Sequence, residues 1–165
     1  MADRKIRMMN SVREIRLAFR TLVRDLGYLN RHLAGTELSP SQVHALLEIE
    51  RFPATQASEL SDLFRLDKSA VSRLLADLEQ RGFIATAKSA KDARGRLLRL
   101  TGKGRRTLKG IHKKADLQFM NTLRVINPPE RQIVVKSLKV FAQALSMARH
   151  QADLAASPKN KPVAR

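Results

Sequence analysis

The sequence predicts a mainly α-helical protein with one small β-hairpin. Three observations predict this fold class. Apolar residues recur every three or four positions over most of the chain, Pro and Gly interrupt that pattern at a few points, and the short segments 83–88 and 96–101 have the composition of strands. The 165 residues are 43% apolar, so the chain can bury a core without a disulfide or a metal. The absence of Cys excludes a disulfide scaffold, a Cys-ligated zinc site and a cysteine nucleophile.

The N-terminal segment predicts an amphipathic helix that ends before Gly35. Its apolar residues step alternately by three and four positions, which is the spacing of a heptad seam. Such a seam packs against a partner helix. The residues of this seam are Val12, Ile15, Phe19, Leu22, Leu26 and Leu29.

A second helix is predicted over residues 40–50. Ser39 is the expected N-cap, and Pro40 fits the first helical position because an N–H there would have no partner inside the helix. The Phe52-Pro53 pair then interrupts the chain and ends this helix.

Two further helices are separated by a tight turn. Thr55 is the predicted N-cap of a short helix that ends near Phe64. Asp67 opens the next helix, over residues 68–81, and Gly82 ends it because glycine adopts a positive φ at little cost.

A polar, glycine-containing loop over residues 89–95 joins the two strands, which predicts an antiparallel hairpin. The loop is too basic to pack inside the protein. A short helix, a tight turn, a second helix and a basic hairpin together predict a winged helix-turn-helix.

Two long helices complete the chain. Thr101 caps one over residues 102–125, the Asn127-Pro128-Pro129 segment stops it, and the last helix covers residues 130–150. Each carries an apolar stripe at helical spacing. The two stripes are Leu108, Ile111, Ala115, Phe119, Leu123 and Ile126, and then Val134, Leu138, Phe141, Leu145 and Ala148.

These elements predict three regions. Residues 8–35 and 103–150 form a helical dimerisation region, residues 39–102 form the winged helix-turn-helix, and residues 151–165 form a basic, disordered tail. The apolar stripes are expected in the core or in a dimer interface rather than around a ligand. The predicted interface residues are Val12, Ile15, Phe19, Leu22, Phe119, Leu138, Phe141 and Leu145.

The charge of the chain points to a polyanionic partner. There are 32 Lys and Arg against 15 Asp and Glu, a formal net charge of +17. Between residues 64 and 114, 15 basic residues face 4 acidic ones, so a net charge of +11 lies in the segment of the helix-turn-helix and hairpin. This coincidence favours nucleic acid as the partner.

The exposed face of the helix over residues 68–81 is small, polar and basic. The major groove of B-DNA admits one α-helix, and small side chains let the helix backbone approach. The guanidinium of Arg73 can bind guanine or a phosphate, whereas Lys68, in the first turn, is better placed for a phosphate. The predicted DNA-binding residues of this helix are Lys68, Ser69, Ser72 and Arg73.

The hairpin supplies a second set of cations, Lys88, Lys91, Arg94 and Arg96. An arginine at a hairpin tip suits a narrow minor groove, where the negative potential of DNA is strong. Asp92 would repel phosphate, so we interpret it as an internal partner of Arg94 or Arg96 that structures the wing.

The chain resembles the MarR-type transcriptional regulators. The residues that carry the resemblance are Ala57-Ser58-Glu59-Leu60, Asp67 to Leu75, Leu78-Glu79, Arg81-Gly82-Phe83-Ile84, Asp92-Ala93-Arg94-Gly95-Arg96 and Leu100-Thr101-Gly102-Lys103-Gly104. The resemblance implies a homodimer with interlocked terminal helices that reads the two halves of a near-palindromic DNA site. It also implies a small anionic or phenolic effector in the crevice between the dimer helices and the winged domain.

The sequence leaves a second class of function open, a non-specific nucleoid or architectural protein, because a charge of +17 would bind any duplex at low salt. An RNA-binding winged helix is disfavoured because one Tyr and no Trp leave little for base stacking. A membrane-surface role of the basic N-terminal helix is disfavoured because acidic residues interrupt it.

No enzyme or cofactor motif stands out. There is no phosphate-binding glycine loop, no nucleophile elbow and no paired-carboxylate arrangement. The four histidines, His32, His44, His112 and His150, lie far apart and predict no metal site. With no apolar run of membrane-spanning length and no signal peptide, we expect a cytoplasmic protein of the bacterial cytosol or nucleoid.

Overall fold

The computed structural model describes residues 2–53, 55–88 and 96–156, and for residues 2–4, 88, 96 and 156 it describes the backbone alone. The described residues form six helices and one two-stranded antiparallel sheet, so the predicted fold class is confirmed. In chain order the elements are α1 (Ala2–Asp25), α2 (Pro40–Arg51), α3 (Ala57–Phe64), α4 (Lys68–Gln80), β1 (Ile84–Lys88), β2 (Arg96–Leu100), α5 (Gly102–Arg124) and α6 (Pro128–Ala156).

The chain divides into two compact units at Asp116 and Leu117. The first unit contains α1 to α4, the hairpin and the larger part of α5. The second contains the end of α5 and α6. The separate helical region over residues 8–35 and 103–150 remains a prediction about how the chain assembles.

Helix α1 ends ten residues before the predicted limit at Gly35, because Gly27 closes it. Gly27 has φ +81°. Its N–H donates a hydrogen bond to the carbonyl of Arg24 at 3.0 Å, and the N–H of Tyr28 donates one to the carbonyl of Val23 at 3.0 Å. This pair of hydrogen bonds is a Schellman motif. Leu26 therefore lies outside the helix, and so does Leu29, which extended the predicted seam.

The start of α2 agrees with the prediction. The side chain of Ser39 accepts a hydrogen bond from Gln42 N at 3.3 Å, and the Gln42 side chain accepts one from Ser39 N at 2.8 Å, which is a capping box. Pro40 occupies the first helical position, so the cap and the proline set the direction in which α2 enters the core.

Thr55 is not the N-cap of α3, because the cap position belongs to Gln56. Thr55 is buried, with 8% of its surface exposed, and its hydroxyl donates to Glu59 Oε2 at 2.7 Å. The same carboxylate oxygen accepts a hydrogen bond from Gln56 N at 2.7 Å. These contacts lower the pKa of Glu59, chiefly through the Gln56 N–H and then through the Thr55 hydroxyl.

The apolar core lies in the first unit, where α2, α3, α4, the hairpin and α5 meet. Helix α4 buries one face here, and the start of α5 covers the hairpin side. Burial of these side chains supplies the main driving force for folding of this unit. The largest fully buried ones are Leu38, Leu46, Ile49, Leu60, Leu78, Ile84, Leu98, Leu108, Val43 and Val71.

The hairpin pairs Ile84 with Leu100 at its open end and Lys88 with Arg96 at the end nearer the loop. Ile84 and Leu98 are buried in the core, which fixes the register because a slip of one residue would turn both outward. Leu98 N also donates to the carbonyl of Thr55 at 2.9 Å, so the second strand is tied to the start of α3.

The junction of β2 and α5 packs against the turn after α4. Thr101 N donates to the carbonyl of Phe83 at 3.0 Å, and the Thr101 hydroxyl donates to the carbonyl of Gly82 at 2.7 Å. The same hydroxyl accepts from Gly104 N at 3.1 Å, which caps the first turn of α5. A Cβ on the buried Gly104 would overlap the carbonyl oxygen of Phe83, so this position requires glycine.

In the second unit, α6 begins at Pro128. The carbonyl of the preceding residue, Asn127, accepts a hydrogen bond from Glu130 N at 2.9 Å. The helix continues to Ala156, six residues beyond the predicted end at His150. Residues 151–156 of the predicted tail are therefore helical, and residues 157–165 lie outside the described residues. Among the described helices, none is long and apolar enough to cross a membrane.

The junction yields a stability prediction. Gly104→Ala should lower the free energy of unfolding by about 1–3 kcal/mol, because the new methyl group forces the Phe83 carbonyl out of place. Urea denaturation followed by circular dichroism measures this change.

Gly110→Ala is the matched control on the same helix. No atom lies within 4 Å of a Cβ placed there, so alanine should stabilise the protein by about 0.5–1 kcal/mol through its helix propensity. Equal responses of the two variants would show that Gly104 is not required for close packing.

Candidate nucleic-acid interface

The turn between α3 and α4 is held by a buried serine. The Ser61 hydroxyl donates to the carbonyl of Leu66 at 2.7 Å, and Leu66 N donates back to the carbonyl of Ser61 at 3.3 Å. Arg65 occupies the left-handed region with φ 52°, which reverses the chain after α3. The two helices therefore form the predicted helix-turn-helix.

Asp67 caps the N-terminus of α4, as predicted. Its Oδ1 accepts hydrogen bonds from Ala70 N at 2.7 Å and from the Ser69 hydroxyl at 2.6 Å. The Ser69 hydroxyl is the main cause of the lowered pKa of Asp67, followed by the Ala70 N–H, and the charge of Arg73 adds to the effect. The first turn of the helix thus begins with an ionised carboxylate whose hydrogen bonds hold the neighbouring side chains.

Helix α4 separates an apolar face from a polar one. Val71, Leu75 and Leu78 are buried in the core. The four residues predicted to bind DNA are exposed, but they do not share one side of the helix. Ser69 and Arg73 lie opposite the buried face, whereas Lys68 and Ser72 lie on the side of the buried Leu75, where they line a groove.

Glu79 connects α4 to the hairpin, and sequence reasoning did not find this role. Its Oε1 accepts hydrogen bonds from Thr86 N at 3.1 Å and from the Thr86 hydroxyl at 2.5 Å. Because β1 is bonded in this way to the exposed side of α4, the hairpin has a defined direction relative to the helix. Nothing in the local sequence distinguishes Glu79 from an ordinary surface glutamate.

Asp77 ties the second half of α4 to α2. Its Oδ2 accepts hydrogen bonds from Gln42 Nε2 at 2.5 Å and from Arg81 Nη1 at 3.3 Å. Arg81 also approaches Glu37, with 3.8 Å between Nη2 and the carboxylate and 3.4 Å to its carbonyl. Helix α4 is therefore attached to the loop before α2 as well as to the hairpin.

A groove of about 340 Å³ lies between α3, α4 and the hairpin. Small side chains of Ala57, Ser58 and Ala76 line it, together with Lys68 and Ser72 of α4. Larger side chains, Val71, Leu75, Glu79, Thr86 and Leu98, line the rest of the groove.

The predicted wing residues are only partly described. The backbones of Lys88 and Arg96 face each other as the last pair of the hairpin ladder. Lys91, Asp92 and Arg94 lie outside the described residues, so the internal pairing of Asp92 remains a prediction.

A second cavity, of about 460 Å³, lies between the loop before α2, the turn after α4 and helix α5. Four basic residues and one acidic residue, Glu37, contribute to its walls. The Nζ of Lys103 lies 4.4 Å from the centre of the Phe83 ring and donates to the carbonyl of Arg81 at 2.8 Å. The basic residues are Arg81, Lys103, Arg106 and Lys114.

The described part of the chain holds no group of three or more His, Cys, Asp or Glu that could bind a metal. Two of the histidines have structural contacts. His112 Nε2 lies 2.8 Å from Glu50 Oε2 and links α5 to α2. The ring of His44 stacks on the ring of Tyr28, with 5.8 Å between the ring centres.

The predicted dimer residues lie in both compact units. On α1, Val12, Ile15, Phe19 and Leu22 are between 37% and 42% exposed. In the second unit Phe119, Leu138 and Leu145 are about half exposed, and Phe141 is half-buried. These residues are therefore partly exposed in a single chain, and their burial in a dimer interface remains a prediction.

Comparison with known proteins gives consistent matches. A model of the MarR family matches residues 36–95. The uncharacterised HTH-type transcriptional regulator YfiV of Bacillus subtilis (strain 168) is 24% identical over 115 residues, which cover 70% of this chain and 72% of that protein.

Solved structures share the fold. A MarR transcriptional regulator from Methanosarcina mazei Go1 aligns with a TM-score of 0.68 and 22% identity over 82% of this chain and 99% of that chain. Streptococcus pneumoniae FabT, whose structure was solved in complex with DNA, aligns with a TM-score of 0.67 and 22% identity over 86% of this chain and 97% of its own.

Proposed function

We propose that this chain, whose residues 36–95 match the model of the MarR family, is a transcriptional regulator of that type, and that it represses genes by binding a specific double-stranded DNA site as a homodimer. Helix α4 enters the major groove and the hairpin reaches the adjacent minor groove. A dimer with two-fold symmetry reads a near-palindromic site, one half with each protomer.

The observation that carries this proposal is the exposed face of α4. Lys68, Ser69, Ser72 and Arg73 are all exposed within the first two turns of a helix that is anchored in the core by Val71, Leu75 and Leu78. Glu79 bonds the same helix to the hairpin, so the two DNA-binding elements have one defined geometry. The net charge of +11 over residues 64–114 supplies the long-range attraction to phosphate.

Dimerisation follows from the exposed apolar stripes of α1 and α6. Monomeric soluble proteins seldom leave such rows of Val, Leu and Phe uncovered. A homodimer covers them by pairing the terminal helices of two chains, and it places two copies of α4 on one duplex. Repression then results from occupation of a promoter, and the protein acts in the cytoplasm, where the DNA lies.

The basic cavity beside α5 supports the proposal of an anionic effector. Its volume of about 460 Å³ suits a small molecule, and its four cations favour a carboxylate or phenolate. Arg81 belongs both to this cavity and to the contacts that hold α4 through Asp77. A ligand that draws Arg81 toward itself would therefore change the position of α4.

A non-specific architectural protein is the alternative function. It would use the same charge but would prefer no sequence, and its affinity would collapse as salt rises. The defined geometry of α4 and the hairpin favours the specific regulator.

Selection from randomised duplexes at near-physiological salt should enrich a two-fold symmetric sequence. Its affinity should exceed that of scrambled DNA by about 10³-fold or more. Arg73→Ala should then cost about 1–3 kcal/mol on the enriched site and relax one base position, while Lys68→Ala should weaken all sequences alike. Competition binding measures both effects, and absence of any enriched sequence would favour the architectural alternative.

Leu138→Glu should abolish the dimer or unfold the chain, because it places a charge in an apolar seam. The same result is expected from Leu22→Glu on α1. Sedimentation analysis measures the oligomeric state. Lys139→Glu, on the next position of α6, is the control and should remain dimeric. A folded and fully dimeric Leu138→Glu variant would contradict the proposed interface.

The effector proposal is tested with 2-hydroxybenzoate, with benzyl alcohol as the uncharged comparison. The anion should raise the melting temperature, and Lys114→Gln should weaken its binding about fivefold or more because one cavity cation is lost. Lys109→Gln removes a cation of α5 outside the cavity and should leave binding unchanged. An identical response of both variants, or none in the wild type, would reject this cavity as the effector site.

A further inference from the structure

A third cavity, of about 400 Å³, lies between the end of α2 and the start of α3. It shares no lining residue with the groove beside α4 or with the basic cavity beside α5. We propose that this third cavity binds a small organic cation, an amine or amidine that carries an apolar group. Two carboxylates, those of Glu48 and Glu59, would hold the positive charge.

A buried carboxylate oxygen is the observation on which the proposal rests. Glu48 Oε2 is buried and has no hydrogen-bond partner in the described part of the chain. Burial of a polar atom without a partner is unfavourable, and burial of an unpaired charge is more so. An unsatisfied buried group in a folded protein is often completed by an ion or a ligand. Because Glu48 lines the cavity, a cation bound there would supply the missing partner.

The chain's own cations do not supply this partner. The chain has 32 Lys and Arg against 15 Asp and Glu, so basic side chains are abundant. None of the described residues that line the cavity is basic, however. Arg51, one turn after Glu48 on α2, instead places its guanidinium over the ring of Phe52, 4.9 Å from the ring centre. The charge of Glu48 is therefore not balanced within the cavity.

Glu59 brings a second carboxylate to the cavity from α3. Its Oε2 accepts hydrogen bonds from Gln56 N and from the Thr55 hydroxyl, each at 2.7 Å. These bonds, the first of them most strongly, lower the pKa of Glu59 and keep it ionised at neutral pH. They leave its other oxygen, Oε1, to accept a hydrogen bond from a ligand.

The remaining walls determine the class of cation. Phe52, Pro53, Leu60 and Leu63 line the cavity with apolar surface. Such side chains cannot provide the roughly six oxygen ligands that Mg²⁺ or Ca²⁺ requires, so a bare metal ion does not fit. Mainly apolar walls with a few polar groups are typical of small-molecule sites. The ligand therefore combines a charged N–H donor, directed to the carboxylates, with a hydrocarbon body.

The probe for this site is 2-phenylethylamine, which is charged at neutral pH. The comparison is 2-phenylethanol, which has a similar shape and no charge. Each is titrated into the full chain, and NMR follows isotope-labelled leucine methyl groups. The amine should shift the methyl signals of Leu60 and Leu63 and leave those of Leu138, in the second unit, unchanged. The alcohol should bind about tenfold more weakly or less, because it cannot form a charge-assisted hydrogen bond.

Substitutions of single glutamates assign the charge. Glu48→Gln keeps the size of the side chain and should weaken binding of 2-phenylethylamine about tenfold or more. Glu59→Gln should also weaken it, and its amide oxygen can still accept from Gln56 N. Glu50→Gln is the matched control on α2, because the carboxylate of Glu50 lies outside this cavity and contacts His112. It should leave binding unchanged.

Thermal melting separates ligand binding from stability. Without the probe, Glu48→Gln should melt at the temperature of the wild type or above it, because the substitution removes an unpaired buried charge. With the probe, the wild type should gain in melting temperature and Glu48→Gln should not. If Glu48→Gln does not fold, Glu59→Gln provides the same comparison.

Several outcomes would overturn the cation site. They are equal affinities for the amine and the alcohol, equal responses of Glu48→Gln and Glu50→Gln, and no methyl shift at about 10 mM 2-phenylethylamine. Displacement of the amine by an equal concentration of Mg²⁺ would also overturn it, in favour of a metal site. None of these measurements uses DNA, so their failure would leave the proposed regulator and its effector cavity unaffected.

Discussion

The carbonyl groups of Gly82 and Phe83 are the point at which three elements of the winged helix-turn-helix are joined. They follow directly on α4, they accept the N–H and the hydroxyl of Thr101 at the end of β2, and Gly104 of α5 packs against the second of them. A buried peptide group needs its hydrogen-bond partners, so this junction leaves little freedom to the chain. The path from α4 through the hairpin into α5 depends on it.

Side-chain contacts outside this junction explain how α4 can present a polar face and still have a fixed orientation. The helix buries only one side, and burial alone would not define how it is rotated or tilted. Polar contacts at Asp67, Asp77 and Glu79 hold its start, its second half and its attachment to the hairpin. Acidic residues in a strongly basic segment thus have positional roles.

The exposed apolar rows of α1 and α6 set a second constraint. The core of the first unit is complete within one chain, yet the long helices keep half-exposed Val, Leu and Phe side chains. Water contact with these side chains is unfavourable, so the chain gains free energy by burying them against another helix. The same association would bring two DNA-reading faces together, which couples the stability of the protein to its proposed activity.

The sequence by itself determined the order of the elements, the hairpin and the two faces of α4, because these depend on local signals. The caps at Ser39 and Asp67 and the spacing of Val71, Leu75 and Leu78 act within a few residues. Gly27 was also a local signal, for the end of α1. Leu29, which follows it and continues the helical spacing of the seam, concealed that signal.

Tertiary structure decided which polar side chains meet. Glu79 bonds Thr86, Gln42 bonds Asp77, and Thr55 turns inward to Glu59 instead of capping α3. The partners in the first two pairs come from different elements, and their contact depends on how those elements pack. A surface glutamate has the same local sequence pattern whether or not a strand lies beside it. Periodicity therefore predicted which face of α4 is buried, while only the packed fold determined which groups hold the helix in place.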